Sequence, residues 1–99
     1  YSECVEQLES KTVDAVTTDG AILLGYAAEK PDELEVVGKP FSTERYGVGY
    51  KKDAPGMCAF ITDTLKKAED DGTWAKAFKN TLGNSGVDTP EPPAPDACS

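Results

Sequence analysis

The stretch VDAVTTDGAILLGYA, residues 13–27, decides how the chain is read. With Thr12 in front of it, TVDAVT alternates apolar and polar positions and is rich in β-branched residues, the period of a half-buried strand. Beyond Asp19 and Gly20 the pattern changes: Ala21, Ile22, Leu23, Leu24, Tyr26 and Ala27 form a mostly apolar helix. A carboxylate, Asp19, stands where strand hands over to helix. The plain reading is an N-cap, whose side-chain oxygen accepts from the free amides of the first helical turn.

Upstream, SECVEQLES (2–10) places Cys4, Val5 and Leu8 on one helical face, with Glu3 and Glu6 near the positive end of the helix dipole. Downstream, Pro31 and Asp32 in EKPDE (29–33) break the second helix, and LEVVG (34–38) reads as a second strand. Helix, strand, helix and strand with short connections predict an α/β domain with parallel strands. KPFSTERYG (39–47) is extended but not a core strand. YGVGYKK (46–52) resumes strand character, and Gly47 and Gly49 signal a close approach or a bend.

A helix begins near Asp53, Ala54 and Pro55, carries Cys58, Ile61, Leu65 and Ala68 at helical spacing, and stops at Gly72. Thr73 caps a last helix with Trp74, Phe78 and Leu82 along one stripe before Gly83. Both stripes read as core, not as cofactor contacts. From Asn84 the chain becomes NSGVDTPEPPAPDACS, with four of the seven prolines, an extended polyproline-like tail without a core of its own.

Ninety-nine residues make one small domain. Eighteen acidic against ten basic residues give a net charge of −8, and the absence of a Lys/Arg stripe sets nucleic acid aside. No histidine is present, which removes the usual general base and the commonest metal ligand. No apolar run approaches the roughly 20 residues of a membrane helix. The chain opens on Tyr1, without a signal-peptide pattern, and reads as mature, truncated or excised from something larger. Cys4, Cys58 and Cys98 show no zinc spacing. They are either three free thiols of a cytosolic protein or include a staple from Cys98 to Cys58 or to Cys4.

VDAVTTD before an apolar helix, then LEVVGKPFSTERYGVGYKKD, then a helix ending in DDGTW, resembles the C-terminal half of amino-acid-binding proteins of bacterial ABC importers. The glutamate/aspartate branch is the nearest in pattern, and the resemblance covers about residues 3–83. The Pro-rich tail ending in a cysteine looks like that of versions from high-GC Gram-positive bacteria. The resemblance implies a partial type II periplasmic-binding-protein fold, in which two α/β lobes close over an amino acid by hinge motion. Residues 1–41 would finish lobe 2. Ser42, Thr43, Glu44, Arg45 and Tyr46 would form one hinge strand, residues 47–83 would return to lobe 1, and 84–99 would be the tail.

By the same resemblance Asp19 points into the cleft and pairs with the ligand α-ammonium, and Thr18 is placed to reach the ligand side chain. Asp14 is structural, Arg45 faces solvent or a surface ion pair, Tyr46 packs between the lobes, and Gly47 gives bending freedom. The arginine that grips the ligand α-carboxylate would lie upstream of Tyr1, so the chain holds half a site. Cys58 borders lobe 1 near the tail whereas Cys4 falls in the other lobe, so the implied staple is Cys58–Cys98.

The implied function is capture of glutamate, aspartate or glutamine outside the cell for an ABC permease, with no metal, cofactor or catalytic residue. The full-length protein would be a lipoprotein on the outer face of the cytoplasmic membrane. A dehydratase-like enzyme on the same fold is the first rival, disfavoured because Asp19 is the only acid visible in the cleft and there is no histidine. The second is the sensing domain of a membrane receptor, disfavoured by a polar ending at Ser99. Because both half-lobes lack strands from upstream, the 99-residue chain is expected either to collapse its helices onto one small sheet or, the favoured outcome, to pair as a homodimer or strand-exchanged oligomer.

Overall fold

The computed structural model describes residues 1–98. Its regular elements are helical: α1 (Ser2–Glu9), α2 (Gly20–Glu29), α3 (Met57–Asp70), α4 (Thr73–Thr81) and a 3-10 turn (Leu82–Ser85) that continues α4. Each helix follows from local chemistry. Glu3 lies in the first turn of α1, where a carboxylate suits the helix dipole. The helix closes through Lys11, at φ 62°, whose amide donates to the Leu8 carbonyl (3.0 Å), while Thr12 N–H donates to Gln7 O (2.8 Å). Such a left-handed residue usually is glycine, because a Cβ crowds the carbonyl there. Gly56 before α3 and Gly72 between α3 and α4 take the same region at φ 81° and 84°. At the second junction Gly72 is the cap residue, not Thr73, and Asp71 Oδ1 accepts from Thr73 N–H (2.9 Å).

The expected α/β architecture is not what forms. Among the described residues no strand exists: TVDAVT, LEVVG, the segment Ser42–Tyr46 and YGVGYKK run without a ladder. The sequences have strand composition, but a strand also needs a neighbour to exchange hydrogen bonds with, and these segments do not pair with one another. The helix–strand–helix–strand reading, with a hinge strand and a further strand before the last two helices, is therefore corrected to an all-helical chain with extended connections.

Packing follows from that. α2 is the centre, lying against the 3-10 turn on one side and tied to α1 on the other. Ser2 Oγ and Tyr26 Oη are 3.0 Å apart, and Lys30 Nζ meets Glu9 Oε1 at 2.5 Å. The 3-10 turn packs on α4, and α4 on α3. Within α4, the Trp74 and Phe78 rings stack with centroids 5.5 Å apart. The residues sealed from solvent are Val5 of α1 and Ala27 of α2. Phe41, Val37, Tyr46, Phe60 and Val48 are all more than half exposed. The radius of gyration, 16.6 Å, exceeds the roughly 13 Å of a compact 100-residue domain. The chain is 50 Å long and 21 Å thin.

The tail returns over this frame. Cys58, in the first turn of α3, and Cys98 form a disulfide with Cα atoms 6.0 Å apart. Thr62 Oγ1 lies 3.6 Å from Cys98 Sγ, and Arg45 pairs with Asp96. Cys4 is free and exposed. The bridged cysteines are 40 positions apart. Closing a loop of that length removes about 4 kcal/mol of unfolded-chain entropy. Cys98→Ser in the whole protein should lower the denaturant midpoint of the oxidised form by a corresponding amount. Unchanged unfolding curves, with and without reductant, would show that the bridge does not constrain the chain.

Candidate functional site

Asp19 ends the extended segment after α1 and caps α2. Its Oδ1 accepts from the backbone N–H of Ala21 (2.9 Å) and of Ile22 (3.3 Å), two of the amides a helix start leaves unpaired. A third donor comes from far along the chain: the Tyr46 hydroxyl donates to the same oxygen at 2.6 Å. That bond is the foremost cause that holds the Asp19 carboxyl below the usual carboxylate range. Partial desolvation opposes it, and the two amides and the nearby Glu44 add to it. The same contact pushes the Tyr46 phenol up, because the neutral hydroxyl is the donor. Among the described residues no hydrogen bond reaches Asp19 Oδ2.

Two hollows flank this carboxylate. The smaller, of about 310 Å³, lies between α1, α2 and the extended segment; Val5, Val16, Thr18, Leu23 and Tyr26 are among its walls. The larger is an open groove of about 910 Å³ between residues 14–20 and 33–44. Asp19 and Thr18 line it from one side, Ser42 and Glu44 from the other. Six carboxylates (Glu9, Asp14, Asp19, Glu33, Glu35, Glu44) and two lysines (Lys11, Lys39) line it, so its field favours a cation.

The residues singled out from sequence thus separate. Asp19, Thr18, Ser42 and Glu44 line the groove and Tyr46 joins them through its bond to Asp19, while Arg45 turns to Asp96 of the tail. Asp14 lines the groove's other end. The contact that sequence reasoning missed is Tyr46 to Asp19, since no local pattern links positions 27 apart. Among the described residues no group of His, Cys, Asp or Glu is placed to hold a metal ion, and no helix is long and apolar enough to cross a membrane.

Known proteins resemble the chain closely. The glutamate-binding protein GluB of Corynebacterium glutamicum is 39% identical over 92 residues, covering 88% of this chain and 31% of that protein. The ABC transporter glutamine-binding protein GlnH of Bacillus subtilis is 39% identical over 82 residues, 83% of this chain and 30% of GlnH. The glutamate/aspartate import solute-binding protein of Escherichia coli is 35% identical over 86 residues, 85% of this chain and 28% of that protein. The chain is a fragment of an amino-acid solute-binding protein of the ABC-importer type. It spans about a third of the length of the curated relatives it matches. No family profile and no solved structure matches it.

All three relatives are binding proteins by name, two of them of a transporter or an import system. The hydrogen bonds at Asp19 predict a pH signature in this fragment of the family. The ionised carboxylate is the bonded form, so its contribution is complete above the ordinary aspartate value near 3.9. It is lost as pH falls through the lowered folded value. An Asp19 carboxyl carbon followed by NMR should titrate below the ordinary value, with the Ala21 and Ile22 amides moving alongside. Tyr46 runs the other way: its contribution is complete below the ordinary phenol value near 10 and is lost as pH rises through the raised one. Ordinary midpoints for both groups would mean that the bond between them does not persist in solution.

Proposed function

We propose that this chain belongs to the binding component of an importer that captures glutamate or a related polar amino acid outside the cell and presents it to an ABC permease. Asp19 takes the ligand α-ammonium and Thr18 faces the ligand side chain. The observation that carries the reading is the carboxylate at the extended segment's end, hydrogen-bonded at Oδ1, on a residue that lines an electronegative groove. A charge-assisted bond from a carboxylate to an ammonium strengthens as water is excluded.

In the whole protein, residues 1–41 complete one lobe and 47–83 belong to the other, with 42–46 between them as hinge and 84–99 as tail. The cations for the ligand's carboxylates then come from polypeptide outside this chain. A second copy of the 99-residue chain is the alternative partner for its exposed extended segments when the rest is absent. Export to the cell surface, with a lipid anchor, suits the Cys58–Cys98 bridge, which oxidising surroundings preserve.

Calorimetry of the whole binding protein with glutamate tests this. Asp19→Asn should weaken binding by about 2 kcal/mol or more, because the ammonium loses its counter-charge. Asp14→Asn should leave the affinity nearly unchanged. Equal affinity of Asp19→Asn and the unaltered protein would return Asp19 to the role of helix cap alone.

A further inference from the structure

We infer that Tyr46 is a positioning residue for ligand capture: its hydroxyl locks the Asp19 carboxylate in the rotamer that presents Oδ2 to the ligand ammonium. The inference rests on the proposed role of Asp19. Three donors converge on Oδ1, namely the amides of Ala21 and Ile22 and the Tyr46 hydroxyl at 2.6 Å. The two amides alone belong to the first turn of α2 and would hold any capping aspartate. The hydroxyl is different, because it arrives from a segment 27 positions later. With Oδ1 occupied from two directions, rotation about the Cβ–Cγ bond would break all three bonds. The second oxygen, on a residue that lines the groove, is thereby held in one place.

The contact also couples two parts of the chain. Tyr46 closes the segment that connects the two halves, and the residue is 74% exposed, so that its hydroxyl bond, more than packing, ties it to Asp19. A shift of this segment relative to α2 must lengthen the hydroxyl–carboxylate bond. Segment geometry and carboxylate orientation thus change together. Glu44 on the same segment is the other carboxyl that faces Asp19.

The test uses Tyr46→Phe in the whole binding protein, which keeps the ring and removes the donor. Glutamate affinity is measured by calorimetry from neutral to acid pH, beside unaltered protein and Asp19→Asn, with melting curves for each. The expected result is an affinity about fivefold weaker at neutral pH, the worth of one net hydrogen bond. The acid fall in affinity should also move to higher pH, since Asp19 loses the bond that favours its ionised form. A residue that merely supported the fold would weaken binding evenly without moving that limb. Unchanged affinity, or weaker binding with an unmoved limb, would overturn the positioning role while leaving Asp19 as the ammonium partner. Unaltered binding by Asp19→Asn would overturn both assignments at once.

Discussion

Backbone amides and carbonyls in an extended segment must be paired with a neighbouring strand or left to water, and this requirement shapes the whole chain. A helix meets it internally, through bonds four residues apart. Residues 12–18 and 34–50 cannot, and no ladder forms among the described residues. Order is therefore confined to the helices and the turns that stop them. The consequence is visible in packing: Val5 and Ala27 are sealed from solvent, whereas Phe41 and Val37 in the unladdered connection stand open to it. A groove of about 910 Å³ separates two segments whose sequences are those of buried strands.

The same distinction explains what could be read from sequence. The apolar run Ala21–Ala27, the break at Pro31 and Asp32, and the stop at Gly72 are local signals, and the helices lie close to where these place them. The cap at Asp19 is local too, since its amide partners are two and three positions away. Strand composition in TVDAVT and LEVVG is equally local, but a strand is a property of two segments. The α/β reading failed on the half of that condition which lies outside those residues. At the site, Asp19 was legible because a carboxylate between a β-branched run and an apolar helix is a pattern of adjacent residues. Its bond to Tyr46 and the pairing of Arg45 with Asp96 span 27 and 51 positions, and only the path of the chain brings them together.

Charge sets a further constraint on the site. The groove's lining is weighted toward carboxylates, and Asp19 has one oxygen free of hydrogen bonds among the described residues. Such a surface suits the ammonium end of an amino acid and repels its acidic end. Recognition of a zwitterion with an acidic side chain therefore requires a division of labour. In the proposed reading one wall takes the positive group, and guanidinium or ammonium groups come from the facing wall. The one arginine of the sequence is paired with Asp96, and the two lysines of the groove lining, Lys11 and Lys39, stand among six carboxylates.

The bridge between Cys58 and Cys98 divides the molecule in a mechanical sense. It closes a covalent ring that contains α3, α4, the 3-10 turn and the tail, while α1, α2 and the long connection remain outside. Tension applied along the polypeptide from the amino-terminal side passes from Cys58 straight through the sulfurs to Cys98. The 39 residues between them carry none of that load. A pull that stretches the connection at Tyr46 and withdraws its hydroxyl from Asp19 would leave the two helices of the ring slack and intact.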